Sequence, residues 1–210
     1  MTEDFSFDKV VDDERLRSRR YVFKDRIHAA ELLAKKLLKY KGEDAIVLAI
    51  PAGGVPVGYR IAVYLQLPLD LIVVRKLPIP YNPEAGFGAV TTDGTIVLNE
   101  SLVEELSLTK EEIDMYASER MREIKERLRK FRGDRPFPYL KEKIAIIVDD
   151  GLASGYTMTA AILSVRKHGP KRIVVAVPTA HPGALEKISP YADEIICLNI
   201  RSGFLFAVAD

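Results

Sequence analysis

Short, largely apolar stretches recur along the chain at 45–50, 69–74, 143–148, 172–178 and 193–199, as in AIVLAI and KIAIIV. No other feature constrains the fold as much. Side chains alternate across a strand, so a strand that is apolar at successive positions is buried on both faces. Helical patterns fall between these stretches. Buried strands alternating with helices predict an α/β fold, with a doubly wound, mostly parallel sheet flanked by helices and right-handed crossovers. The 210 residues suit one domain spanning 1–210. In such sheets ligands sit beyond the carboxyl ends of the strands. The loops 51–54, 75–94, 149–157, 179–182 and 200–204 are therefore expected to face one crevice.

Residues 24–40 place Ile27, Ala30, Leu33, Leu37 and Leu38 at helical spacing. PAGGVPVGYRIAVYL turns through glycines into a second helix. The Pro- and Gly-rich segment 76–94 has too many breakers for a helix, and TIVLN at 95–99 reads as a short strand returning from it. Residues 109–131 give the clearest helix. Thr109 and Glu112 fit a capping box, and Ile113, Tyr116, Ala117, Ile124, Leu128 and Phe131 mark one face. Two roles suit this charged helix: a solvent-facing support, or a dimer element or flap platform. Helices are also expected at 155–168 and near 183–189.

Lys and Arg number 31 against 30 Asp and Glu, a formal net charge of +1. No global field then draws the chain to nucleic acid or a membrane, and any anion site must be local. No apolar run reaches the length of a membrane span. The polar N-terminus MTEDFSFDKVVDDERLRSRR lacks the apolar core of a signal peptide. The lone Cys197 reads as a small buried hydrophobe and suits a reducing cytoplasm. The expectation is a cytoplasmic protein with neither nucleic-acid nor membrane partner.

The stretch IAIIVDDGLASGYTMTAA carries the chemistry. Asp149 and Asp150 end a buried strand. Carboxylates only accept hydrogen bonds, so an adjacent pair suits ligand hydroxyls such as a ribose diol. Ala153, Ser154, Gly155 and Thr157 then lead into a helix start, where backbone N–H groups and small side chains make a cradle for an anion. Diol acceptors a few residues from a phosphate cradle fit a 5-phosphorylated ribose. An isolated acid pair would more simply cap a helix; the order acids, small loop, hydroxyls, helix favours the ligand site. Competing motifs fail: there is no G-x-x-x-x-G-K-[ST], GFGAVT lacks its third glycine, and no Cys/His cluster has zinc spacing.

IIVDDGLASGYT resembles the phosphoribosyl-pyrophosphate (PRPP) signature of the type I phosphoribosyltransferase family. YVFKDRIHAAELLAKKL, LAIPAGGVPVGYRIA, LDLIVVRKL, NPEAGFGAV with VLNE, and IVVAVPTA resemble a bacterial and archaeal subgroup of that family. The resemblance implies that family's fold, with a flexible flap and a small hood. It implies a magnesium-dependent reaction: a nitrogenous base attacks C1 of PRPP, pyrophosphate leaves, and a nucleoside monophosphate forms, as in nucleotide salvage. Carried over, Asp149 and Asp150 bind the ribose hydroxyls, and Ala153, Ser154, Gly155, Tyr156 and Thr157 bind the 5-phosphate. Pro51, Ala52, Gly53 and Gly54 grip pyrophosphate, with Arg75 reaching the leaving group. Lys76 acts in catalysis beside a flap at 78–92. Mg2+ is held mainly through the ligand, with Asp149 and Asp150 as protein contributors. A homodimer is expected.

Three departures from the subgroup stand out. Its pyrophosphate loop usually reads Pro-Arg-Gly-Gly, so Ala52 removes a cation. A charged hydrogen bond is worth roughly 1.5–3 kcal/mol, or about tenfold or more in affinity unless another base substitutes. Ser154 keeps the hydroxyl where Thr is common. Tyr156 replaces a smaller residue, so its ring must point away. For the base, the candidates are His181, Phe204 with Phe206, and the flap residues Tyr81, Asn82 and Glu84; the sequence does not name the base. Two rival readings share the signature. One is a non-catalytic regulator that binds PRPP or a nucleotide, which Ala52 favours. The other is a PRPP-making kinase, which needs two such domains where 210 residues hold one.

Overall fold

The computed structural model describes residues 8–79, 82–203, 206 and 208, with the backbone alone at 82–85. In chain order the elements are β1 (Val10–Val11), α1 (Arg26–Lys36), β2 (Ala45–Ala49), α2 (Gly54–Leu65), β3 (Leu69–Leu71), β4 (Val74–Ile79), β5 (Asn82–Thr91), β6 (Ile96–Leu98), α3 (Glu100–Glu105), α4 (Lys110–Arg132), β7 (Ile144–Val148), α5 (Tyr156–Arg166), β8 (Arg172–Ala180), α6 (Pro182–Ile188) and β9 (Glu194–Ile200). The central sheet has the order β1-β9-β8-β7-β2-β3, with every pairing parallel. Its strands are apolar on both faces because both faces are covered. Leu33, Val57 and Ile61 of α1 and α2 pack on Val47, Ile146, Val174 and Ile196. On the other face Ala161 and Leu185 of α5 and α6 meet Leu48, Ile147, Val175 and Ile195. Among the described residues no helix is long and apolar enough to cross a membrane.

A second, antiparallel sheet, β4-β5-β6, takes in most of the segment expected as the flap. The expected single strand 69–74 is in fact split between the two sheets. Ile72 N still donates to Ala49 O at 3.1 Å, and from Val74 onward the chain pairs with β5. Residues 71–74, LIVV, are apolar without a break, which hides the change of sheet. α4 lies on the second sheet, burying Ala117 and Ile124 against Val73, Leu77, Phe87 and Val90. That makes it a platform for the small sheet. Its capping box forms, with Thr109 and Glu112 each bonding the other's backbone N–H. Phe131 was expected on the buried face but is 54% exposed. In that last turn Arg132 turns inward instead, donating to Asp70 at 2.6 Å and to Leu71 O at 2.9 Å.

Asp93, in the turn before β6, ties the small sheet to α5. It accepts from Ser164 Oγ at 3.0 Å and from Lys167 Nζ at 2.9 Å. Two short elements left no periodic signal. β1 adds two residues to the β9 edge. α3 is one six-residue piece capped by Asn99.

Candidate active site

β2 and β7 are neighbours in register, Ala49 opposite Val148, so the loops that follow them emerge side by side. The loop after β2 runs through Pro51 and Ala52, joined by a cis peptide bond, into Gly53 and Gly54 at the start of α2. Both glycines bring the loop close to its neighbour, Gly54 against fixed backbone and Gly53 against a side chain that can rotate. A Cβ on Gly53 would lie 2.0 Å from Asp150 Oδ2, and one on Gly54 would lie 2.6 Å from Val148 O. The candidate pyrophosphate loop therefore rests directly on the candidate ribose site.

Asp149 Oδ1 accepts the backbone N–H of Asp150 at 2.8 Å. Burial first, and then the adjacent Asp150 charge, push the Asp149 carboxyl well above the usual carboxylate range. Asp150 has a partner that sequence reasoning missed. Arg26 donates to Asp150 Oδ2 from Nε at 2.9 Å and from Nη2 at 2.7 Å. Arg26 opens α1, and the preceding Asp25 caps that helix by accepting from His28 N at 2.8 Å. Nothing in the spacing links residues 124 positions apart. The only hint was a cation directly after a helix N-cap.

The loop after β7 is fastened to the end of β8. Leu152 N donates to Thr179 O at 3.0 Å, and His181 N donates to Leu152 O at 2.9 Å. Gly155, at φ 82°, turns the chain into α5 and offers no side-chain cap. The first-turn N–H groups of α5 thus lack intrahelical acceptors, and Ala153 and Ser154 are exposed beside them. The Tyr156 ring lies under Lys187, whose Nζ is 3.8 Å from its centroid, so the ring leaves the loop clear. Thr157 is half-buried.

Other expected site residues are placed differently. Val73 and Leu77 enter the core under α4, and Arg75 turns toward the same helix. Its Nη2 meets Glu123 of α4 at 3.1 Å, so Arg75 does not reach the crevice as expected. Lys76 lies on the opposite side and is exposed, its stem against Gly86. His181 caps α6, its Nδ1 accepting from Gly183 N at 3.2 Å, with its ring edge-on to Phe206 at 5.8 Å. Phe204 and Tyr81 fall outside the described residues, as do the side chains of Asn82 and Glu84. Beside Asp150 opens a pocket of about 170 Å³, lined by Phe23, Arg26, Thr179, Asn199 and Arg201. Sequence reasoning put these strand ends at the crevice but missed Thr179, Asn199 and Arg201. Their one signal was polarity at the ends of apolar strands.

Among the described residues no three His, Cys, Asp or Glu side chains form a metal cage. Asp149 and Asp150, half-buried beside one arginine, nonetheless offer hard oxygens that suit Mg2+ shared with ligand oxygens and water.

Residues 24–210 match the family model described as the phosphoribosyl transferase domain. A Mycobacterium tuberculosis (strain ATCC 25618 / H37Rv) protein named "Putative phosphoribosyl transferase Rv0571c" is 41% identical over 187 residues, which are 89% of this chain and 42% of that protein. The chain spans less than half the length of the curated relatives it matches. The crystal structure of TT1426 from Thermus thermophilus is 36% identical, with a TM-score of 0.71 over 89% of this chain and 88% of that one. The purine phosphoribosyltransferase from Pyrococcus horikoshii Ot3 shares the fold at 21% identity and a TM-score of 0.50, over 85% of this chain and 84% of that one. The family match takes in every strand of the central sheet except β1, and the chain belongs to the phosphoribosyl transferase domain family, with the fold of its type I members.

Proposed function

We propose that this chain transfers the phosphoribosyl group of PRPP to a nitrogenous base and releases pyrophosphate, with Mg2+ as cofactor. The observation that carries the reading is the acid pair Asp149–Asp150, set between the Gly53–Gly54 loop and the bare start of α5. In this reading the pair accepts hydrogen bonds from the ribose 2- and 3-hydroxyls. The N–H groups and hydroxyls of 153–157 hold the 5-phosphate. Pro51 to Gly54 bring backbone against the pyrophosphate, which leaves as the base nitrogen bonds to C1. The ribose gains positive charge as that bond changes hands, and the carboxylates beneath it favour this state. No covalent nucleophile is needed; positioning and electrostatics supply the rate. Mg2+, held through Asp149 and Asp150, would neutralise charge on the departing pyrophosphate. Lys76, exposed at the base of the small sheet, is the cation we assign to the leaving group.

The test is pyrophosphate release from PRPP over a panel of purine and pyrimidine bases. Turnover with at least one base, abolished by Asp149→Asn with Asp150→Asn, supports the reading. Release that is equal in wild type and double variant would overturn it. The whole protein's acceptor and partners are part of the same proposal. We expect a cytoplasmic homodimer, because Cys197 is a buried thiol and Tyr59, Val63 and Tyr64 leave an apolar strip exposed on α2.

Two observations favour a second reading, a regulator that binds PRPP or a nucleotide without catalysis. Ala52 brings no cation to the pyrophosphate loop, and Arg75 is held by Glu123. Binding of PRPP with no turnover on any base would select it.

A further inference from the structure

We infer that Arg26 is a movable cation of the active site: it pairs with Asp150 until a ligand claims that carboxylate, and then turns to the pyrophosphate group. This rests on the proposed phosphoribosyl transfer. Both contacts of Arg26 go to one atom. Nε at 2.9 Å and Nη2 at 2.7 Å donate to Asp150 Oδ2, whereas a guanidinium fork is matched best by two oxygens. The Arg26 side chain is 55% exposed, against 19% for Asp150. A pair so open to solvent is held weakly. In the proposed reaction Asp150 has stronger calls on it, from the ribose hydroxyls and Mg2+, and each meets the oxygens that Arg26 now uses. Of the two partners, the long and exposed Arg26 is the one with room to leave. It lines the pocket beside Asp150, so the freed side chain has open space.

The shared oxygen also locates the destination. A Cβ built on Gly53 would lie 2.0 Å from Asp150 Oδ2. The Gly53 backbone and the Arg26 guanidinium are therefore neighbours of one atom, and a change of rotamer carries the cation from Asp150 to an anion resting on Gly53 and Gly54. That anion needs it. Pyrophosphate carries several negative charges, and Pro51, Ala52, Gly53 and Gly54 bring no cation of their own. Arg75 is held by Glu123 of α4. Asp25 and Asp150 line the same pocket, so a phosphate enters only with positive charge alongside, from Mg2+ and from Arg26. A phosphate offers the fork two oxygens in exchange for the single one it gives up.

The test is calorimetric titration of the wild type and Arg26→Met with PRPP and with ribose 5-phosphate, each with Mg2+, in mildly alkaline buffer that keeps the acid pair ionised. Ribose 5-phosphate brings the hydroxyls and the 5-phosphate without the pyrophosphate. The ratio of the two affinities therefore reads the pyrophosphate contacts alone. Arg26→Met should cut the advantage of PRPP over ribose 5-phosphate by about tenfold or more. Ribose 5-phosphate itself should bind as well as to the wild type or better, because a competitor for Asp150 is gone. A wild-type ratio in Arg26→Met would overturn the inference, whether both affinities hold or both fall together; in the second case Arg26 only supports Asp150. Either result leaves the transferase reading standing as long as the wild type binds PRPP. No PRPP binding by the wild type would remove both.

Discussion

Gly53→Ala tests how closely the two loops are fitted. The new Cβ would sit 2.0 Å from Asp150 Oδ2 and 2.3 Å from its Cγ. Ordinary contact begins at 3.4 Å, so these atoms must part by more than an ångström. The backbone at Gly53, φ −62° and ψ −35°, accepts alanine freely. Losing glycine's freedom in the unfolded chain stabilises by about 0.4–1 kcal/mol. The side chain of Asp150 gives way by rotating, which breaks its pair with Arg26. That pair is half in solvent, so its loss costs about 1 kcal/mol at most. Global stability should therefore stay within about 1 kcal/mol of wild type. The ribose site, however, loses an oriented charged acceptor worth about 1.5–3 kcal/mol, so PRPP affinity should fall roughly ten- to hundredfold.

Gly54→Ala should do the opposite. Its Cβ meets Val148 O at 2.6 Å and Asp149 Cα at 2.9 Å, backbone atoms that cannot rotate aside. Overpacking of that kind costs about 1–3 kcal/mol, or roughly 3–10 °C in Tm for a chain of this size. Thermal unfolding and calorimetric titration of PRPP with Mg2+ read the two effects separately. Wild-type PRPP affinity in Gly53→Ala would refute the place of Asp150 in the ribose site. An unchanged Tm in Gly54→Ala would refute the tight stacking of the loops.

Further outcomes follow from the same geometry. Arg26→Met should weaken PRPP binding and shift its pH dependence to higher pH, because the cation that offsets the Asp149–Asp150 repulsion is gone; an unchanged pH profile in titrations would count against it. Ala52→Arg should tighten pyrophosphate about tenfold if no other base has replaced the missing cation, and equal affinity would mean one has. Burial opposes ionisation of Asp93, but Thr91, Lys167, Thr95 and Ser164 outweigh it and hold the carboxyl well below the usual range. Its folded value is lowered, so its contribution is full above the ordinary carboxylate range and is lost as the pH falls. Asp93→Ala should cost about 2 kcal/mol in urea unfolding at neutral pH and less in acid; a pH-independent cost would contradict this.

The parallel sheet was legible because strands such as IAIIV carry no polar face, and only a doubly covered sheet accepts that. The acid pair and its loop were legible because their order along the chain is local. Arg26 was not, since its link to Asp150 exists only after α1 packs across the sheet end. Thr179 and Asn199 were hidden for a related reason. Core sides alternate up to Leu198 and then break before Ile200, so a strand pattern does not say which way Asn199 turns. Arg75 misled because a strand-end cation looks free in sequence, whereas Glu123 waits on a helix 48 residues away.

The most direct measurement is calorimetric titration of PRPP with Mg2+ into the wild type and into the variant carrying both Asp149→Asn and Asp150→Asn. Saturable one-to-one binding by the wild type, weakened about a hundredfold in a variant that unfolds at a similar temperature, is the expected result. Equal affinity in the two proteins would contradict the assignment of the acid pair to the ribose, and with it the proposed reaction.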